Sequence, residues 1–167
     1  MLPTGLLLSL DEVEKIVRSN QDSIVIVDEA YIDFGGVSAL SLVPRYENLL
    51  VVQTFSKSRS MAGIRIGFAI GNPRLIRALN DVKYSYNSYT MNMPSLILGK
   101  EAVKDDAYFK ETLKKIIETR EWSKKQLERL GFTFPDSMSN FILPLMKTAK
   151  AEEILRRCGK IRFCQIF

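Results

Sequence analysis

Two short runs, Ile24-Val25-Ile26-Val27 and Leu49-Leu50-Val51-Val52, restrict what this chain can fold into more than anything else in it. Each is wholly apolar, and each gives way at its C-terminal end to a polar or charged residue. Such runs read as strands buried on both faces, the habit of parallel sheets covered by helices. In open α/β sheets ligands gather beyond the carboxyl ends of the strands, which draws attention to the residues just past Val27 and Val52. A third strand-like run, Ile66-Gly67-Phe68-Ala69-Ile70-Gly71, begins about a dozen residues after the second. That interval barely admits a helical crossover and predicts an antiparallel neighbour.

Helix signals surround these strands. Ser9 with Glu12 three residues on forms a capping box, and the helix it opens runs to about Arg18 with Leu10, Val13, Ile16 and Val17 on one side. Asn72-Pro73 is a second helix start, carrying Leu75, Ile76, Leu79 and Val82 inward before the polar, aromatic stretch Tyr84 to Tyr89 interrupts it as a loop. From about Ser95 long helices take over. The stretch from Asp105 or Asp106 to Leu130 has Glu111–Lys115 and Glu121–Lys125 pairs ordered for i,i+4 support, and Gly131 closes it. Asn140-Phe141-Ile142-Leu143 reads as a strand, Ala151 to Cys158 as a short helix closed by Gly159, and Ile161-Arg162-Phe163 as a last strand. The fold class is α/β.

Composition removes several kinds of chemistry. The 167 residues are 46% hydrophobic and 26% charged, ordinary for a globular protein. No apolar run reaches the roughly 20 residues that span a bilayer, and the opening residues lack the basic region of a signal peptide. The expected compartment is the cytoplasm, with no membrane partner. There is no histidine, so zinc sites and His-based triads lack their usual ligand or base. Cys158 and Cys164 read as ordinary buried or half-buried thiols. The net charge of +5 is spread among acidic neighbours without a basic, aromatic-interleaved stripe, so nucleic acid is not an expected partner; a small anionic ligand suits a few of these charges better.

The strand ends carry the chemistry. Asp28 follows the first strand, and Lys57 follows the second, in Thr54-Phe55-Ser56-Lys57. Neighbouring strand ends bring this carboxylate and this amine to one cleft. A lysine becomes a Schiff-base nucleophile when burial or nearby positive charge lowers its pKa. A carboxylate facing a pyridinium nitrogen keeps that ring protonated, ready to hold the electrons of a carbanion. Ser56, Thr54 and Arg65 supply hydroxyls and a guanidinium that suit a phosphate, and Tyr31 a phenol that suits a ring hydroxyl. Each piece alone also fits a helix cap or an ordinary surface residue.

Together, the blocks from Val27-Asp28-Glu29-Ala30-Tyr31 through Phe34, from Thr54 to Ser58, and Met61-Ala62-Gly63-Ile64-Arg65-Ile66-Gly67-Phe68 resemble consecutive motifs of the fold-type I, pyridoxal-phosphate-dependent aminotransferases, most of all the histidinol-phosphate aminotransferases. Pro3-Thr4-Gly5, Tyr86-Asn87 and Ser139-Asn140-Phe141 match further motifs, so the likeness runs the length of the chain. The resemblance implies pyridoxal 5'-phosphate as cofactor, with Lys57 as Schiff-base lysine and proton shuttle. By the same resemblance Asp28 pairs with the pyridine nitrogen, Tyr31 bonds the ring oxygen, Ser56 and Arg65 bind the phosphate with Thr54 as a weaker contributor, and Asn140 lies toward the substrate. It implies transamination of histidinol phosphate with 2-oxoglutarate, and small amino and keto acids as partners. Threonine-phosphate decarboxylase, an aromatic aminotransferase of the same superfamily or a catalytically incomplete fragment remain open alternatives. Residues 1–94 correspond to the C-terminal part of a large cofactor-binding domain, a mostly parallel sheet with helices on both faces, and residues 95–167 to a truncated small α/β domain.

The departures matter equally. The family's ring-contacting Asn before Pro-Thr-Gly, its earlier half and its C-terminal substrate-binding arginine have no counterpart here, and Arg162 falls too early to replace that arginine. Three strands also cannot cover both faces and both edges of a buried sheet. The chain is therefore expected to be part of a longer protein, or to need a complementary one, and the resemblance implies that the complete protein is a homodimer.

Overall fold

A computed structural model describes residues 4–146 and 151–158. Helix α1 (Leu10–Ser19) starts at the predicted box: Ser9 Oγ accepts from the Glu12 amide, and the Ser9 amide donates to Glu12 Oε2 at 2.7 Å. Such a cap is worth about 1 kcal/mol. Strand β1 (Val25–Asp28) runs parallel to β2 (Leu49–Thr54), and β3 (Gly67–Gly71) runs antiparallel to β2 on its other side. The sheet order is β1-β2-β3. Among the described residues the antiparallel neighbour expected from the short connection is present.

The core lies on one face of this sheet. Val13 and Val17 of α1 pack with Ala39 and Leu42, from the 3-10 helix Ala39–Arg45, against Leu49 and Val51 of β2. Val25 and Val27 border the cluster. The alternate residues face the other way: Ile24, just before β1, is 58% exposed and Ile26 61%. The expectation that the first strand is buried on both faces is therefore not met within this chain. Among the described residues β1 is an edge strand, and α1 covers only the Val25–Val27 side.

Helix α2 (Pro73–Tyr86) is capped by Asn72, whose side chain accepts from the Arg74 amide. It continues through Tyr84-Ser85-Tyr86, expected to be loop. Neither Gly nor Pro intervenes, and Tyr and Ser cost a helix only a few tenths of a kcal/mol each relative to better formers. Its expected inward face is not buried; Leu79 and Val82 are exposed.

Helix α3 (Met93–Lys104) leads into the long α4 (Asp106–Arg129). At the end of α4, Gly131 has φ +82°. Its amide donates to Glu128 O and that of Phe132 to Leu127 O, a double closure that favours glycine at this position. Glu111–Lys115 pairs as expected, whereas Glu121 pairs with Lys124 rather than Lys125 because Lys124 turns inward to reach Asp136.

The strand expected at residues 140–143 is absent. The Phe141 carbonyl accepts from the hydroxyls of Ser137 and Ser139, and its amide donates to Ser139 Oγ. Serine side chains thus take the bonds a neighbouring strand would have supplied. Pairing occurs only further on, as a bridge between Thr133 and Leu145. A short helix α5 (Ala151–Cys158) comes next, as predicted. The strand expected at Ile161-Arg162-Phe163, the closing Gly159 and the Cys164 thiol lie outside the described residues.

Leu42 is 1% exposed at the centre of the core. Leu42→Ala is expected to destabilise the chain by about 2–5 kcal/mol, read from the midpoint of urea unfolding at unchanged slope.

Candidate functional site

The C-terminal end of β1 separates two carboxylates by alternation. Successive side chains of a strand point to opposite faces. Asp28 shares its register with Val52 and Ala69, on the face away from the α1 core, and is exposed. One of its oxygens accepts from the Ala30 amide at 3.0 Å, which fixes the carboxylate at the strand end. Glu29 is buried instead, 5% exposed, and accepts from Ser38 Oγ, the Ala39 amide and Gln53 Nε2 at 2.7–2.8 Å. Three donors offset the cost of burying a charge. Glu29 thereby ties the loop after β1 to β2 and starts the 3-10 helix at Ala39. No pattern in the sequence singles it out from its acidic neighbour.

The end of β2 leads into the turn that carries Lys57. In the β2–β3 register Gln53 faces Phe68 and Thr54 faces Gly67, and the Phe55 amide donates to Ile66 O at 3.1 Å. Extending that register puts Ser56 and Arg65 at one level of the hairpin. Thr54 Oγ1 accepts from the Ser56 amide and lies 2.9 Å from Ser56 Oγ and 3.1 Å from Ile66 O. A hydroxyl has one proton. Given to Ser56 Oγ, it leaves the Ser56 proton free to donate elsewhere. Thr54 is then the residue that shapes the turn and Ser56 the one that can bind.

Two residues of this turn, Ser60 (φ 55°) and Arg65 (φ 59°), are the only non-glycines with positive φ among the described residues. Each such conformation costs about 1–3 kcal/mol and survives only where surrounding contacts enforce it. Those contacts are present. Ser58, 2% exposed, donates to Asp33; Arg59 donates to Ala102 O at 2.7 Å and stacks 4.1 Å from the Phe109 ring centroid; Ser95 donates to Ile64 O at 2.9 Å. Arg65 itself donates to Ala62 O at 2.8 Å and stands exposed at the hairpin surface.

Tyr31 is where the segments meet. It is buried, its ring stands edge-on to Phe141 at 5.5 Å, and Lys57 Nζ lies 5.6 Å from its centroid. Among the described residues Lys57 has no ion pair or hydrogen bond, so its amine is uncommitted. Asn140 is exposed, next to Phe141, on the wall of a hollow of about 370 Å³ that Arg120 and Lys115 also line. The structure thus joins Tyr31 to Lys57 and Thr54 to Ser56, sets Asp28 on the adjoining strand end, and leaves Arg65 and Asn140 at the margins.

Behind Tyr31 lies a charged cluster on α4 that carries no sequence signature of its own. Arg120 and Lys124 are the buried residues of this helix. Arg120 Nη1 donates to Phe34 O at 2.8 Å and Ser139 O at 3.1 Å, while Nε reaches Glu121. Lys124 bonds Glu121 and Asp136. The Lys124 ammonium holds the Asp136 carboxyl below its ordinary 3.8. Burial pushes Glu121 upward, but the hydrogen bonds from Arg120 and Lys124 outweigh it and leave this carboxyl below 4.5. Glycine spacing points here too: the Met138 amide donates to Gly5 O, and a Cβ on Gly5 (φ +77°) would lie 2.4 Å from Ser137 Oγ.

The aminotransferase class I and II family model matches residues 3–162. The chain belongs to this family. A histidinol-phosphate aminotransferase of Brachyspira hyodysenteriae is 59% identical over 153 residues, covering 91% of this chain and 43% of that protein. One from Clostridium botulinum is 52% identical over 153 residues, covering 92% and 43%. The crystal structure of the histidinol-phosphate aminotransferase from Clostridium acetobutylicum superimposes with a TM-score of 0.85 at 25% identity, over 95% of this chain and 49% of that one. The architecture is that of the fold-type I aminotransferases, and the chain spans less than half the length of the curated relatives it matches. No helix among its described residues is long and apolar enough to cross a membrane.

Carboxyls held below their unfolded values stabilise the fold above those values, and the contribution is lost as pH falls through the folded pKa. Asp136→Asn is therefore expected to lower the melting temperature at pH 7, with the gap to wild type closing as pH drops below about 4. A gap unchanged at about pH 3 in a thermal melt would contradict the Lys124–Asp136 assignment.

Proposed function

We propose that this chain supplies the lysine-bearing part of a pyridoxal-phosphate-dependent aminotransferase that moves the amino group of histidinol phosphate to 2-oxoglutarate. The observation that carries the reading is the placement of Lys57, its amine uncommitted and facing the Tyr31 ring, one strand away from the carboxylate of Asp28. Family membership and the names of the relatives support it.

The donor set suits the cofactor. A carboxylate at the end of β1 matches a pyridinium nitrogen, a phenol at the Lys57 amine matches a ring oxygen, and two hydroxyls with a guanidinium at one hairpin end match a phosphate dianion. When bound, pyridoxal phosphate supplies the electron sink for the charge left on a substrate carbon that has lost its proton. Lys57 Nζ would hold the cofactor by its aldehyde carbon, with loss of water, and, once displaced there by the substrate amine, would take the proton from the substrate Cα as general base and give it back as general acid. Asp28 keeps a positive charge on the ring nitrogen. Tyr31 orients the ring through its oxygen. Ser56 and Arg65 hold the phosphate, with Thr54 shaping their turn, and Asn140 contacts the substrate.

In this reading residues 1–94 complete a large cofactor domain and residues 95–167 contribute to a small one. The whole enzyme is a cytoplasmic homodimer, acting on small amino and keto acids.

Incubation with pyridoxal phosphate and borohydride is expected to place one pyridoxyl group on Lys57, seen by peptide mass mapping, and Lys57→Ala is expected to abolish it. The assay is run on the chain alone and with the remaining portion of the B. hyodysenteriae relative supplied in trans. Absence of label under both conditions overturns the cofactor assignment. Label on Lys57 without amino transfer from histidinol phosphate in the complemented preparation overturns the substrate assignment alone.

A further inference from the structure

Arg120 is the only buried arginine among the described residues, and it serves neither the β1–β3 sheet nor the core around Leu42. Its two carbonyl partners lie 86 and 19 residues away. Both belong to segments that carry candidate site groups. Phe34 O ends the turn that begins at Tyr31, where the Phe34 amide donates back to Tyr31 O at 3.2 Å. Ser139 O immediately precedes Asn140 and Phe141, and the Phe141 ring stands against Tyr31.

Burying a guanidinium is costly, and replacing a buried ion pair as a whole by apolar side chains of similar volume is often neutral or stabilising. A function that needs a guanidinium explains its use here. Its planar fork donates along fixed directions, so two carbonyls bonded to one Nη are held at one spacing. Glu121, bonded to Nε, fixes the fork in turn. A lysine at this position has the charge but a single flexible nitrogen, and its direction is not set by a plane.

We propose that Arg120 is a positioning residue that fixes the Tyr31 turn and the Asn140–Phe141 segment against each other, and so sets the gap between the cofactor-binding and substrate-binding sides of the site. This rests on the aminotransferase reading above. Arg120 touches neither cofactor nor substrate. It acts through Tyr31 on one side and through Phe141 and Asn140 on the other.

The test compares Arg120→Lys and Arg120→Met with wild type in the full 167-residue chain, with the complementing portion present where the wild type needs it. Three quantities are read: amide exchange without cofactor, thermal midpoint, and pyridoxal phosphate affinity from the absorbance of the bound cofactor. In both variants exchange is expected to accelerate together at the Phe34, Gly36 and Phe141 amides while the β2 amides stay protected. Affinity is expected to fall about tenfold, the loss of one charge-assisted hydrogen bond. Arg120→Met leaves Phe34 O and Ser139 O without their donor and is expected to lower the melting temperature, so affinity is read well below the midpoint of each variant, where the chain stays folded. Affinity within about twofold of wild type in a variant whose amides have loosened overturns the positioning role and leaves the aminotransferase reading intact. Amides that do not loosen overturn the bridge itself. A wild type that takes up no pyridoxal phosphate overturns the aminotransferase reading, and the role given to Arg120 falls with it.

Discussion

The parallel pairing of β1 with β2 sets the position of everything around Lys57. Val25 through Asp28 lie in register with Leu49 through Val52, and the Glu29 amide continues the ladder onto Val52 O. That register ends both strands at one level, so the loop bearing Tyr31 and the turn bearing Lys57 emerge side by side. It also decides which carboxylate is buried. Alternation turns Glu29 inward onto Ser38, Ala39 and Gln53, and leaves Asp28 on the open face. The buried acid holds the frame, and the exposed acid is available to a ligand.

A rigid turn is the second requirement, and it is met by contacts from outside it. Two left-handed non-glycine residues, Ser60 and Arg65, oppose the conformation of the turn, while Asp33, Ala102, Phe109 and Ser95 hold it in place through Ser58, Arg59 and Ile64. These partners come from the loop after β1 and from α3 and α4, so the conformation around Lys57 depends on the packing of the C-terminal helices.

Much of the frame was legible because its causes are local. The Ser9–Glu12 box, the Asn72-Pro73 start, Gly131 and the brevity of the connection before β3 each act within a few residues, and all appear where expected. The candidate residues at the strand ends were legible through motif and spacing, and the structure sets Lys57 beside Tyr31. What failed depended on partners distant in sequence or on side chains that compete for the backbone. Phe141 carries a strand-like signature, but serines two and four residues before it bind its backbone. The apolar faces of α2 and β1 looked buried because periodicity reports which side is apolar and not what covers it. Arg120 was invisible because a cation on a charged helix ordinarily faces water; only the fold reveals that this one points inward.

The exposure of β1 has a practical side. Its far edge has no paired strand among the described residues, and Ile24 and Ile26 present bare aliphatic surface beside unpaired backbone. Such an edge is a template for strand addition by other copies of the same polypeptide, the first step of aggregation. Purification of the free chain then favours low concentration and cool storage. A charged substitution at Ile26 offers a route to solubility that leaves the α1 core untouched, at the expense of any partner that normally rests on that face.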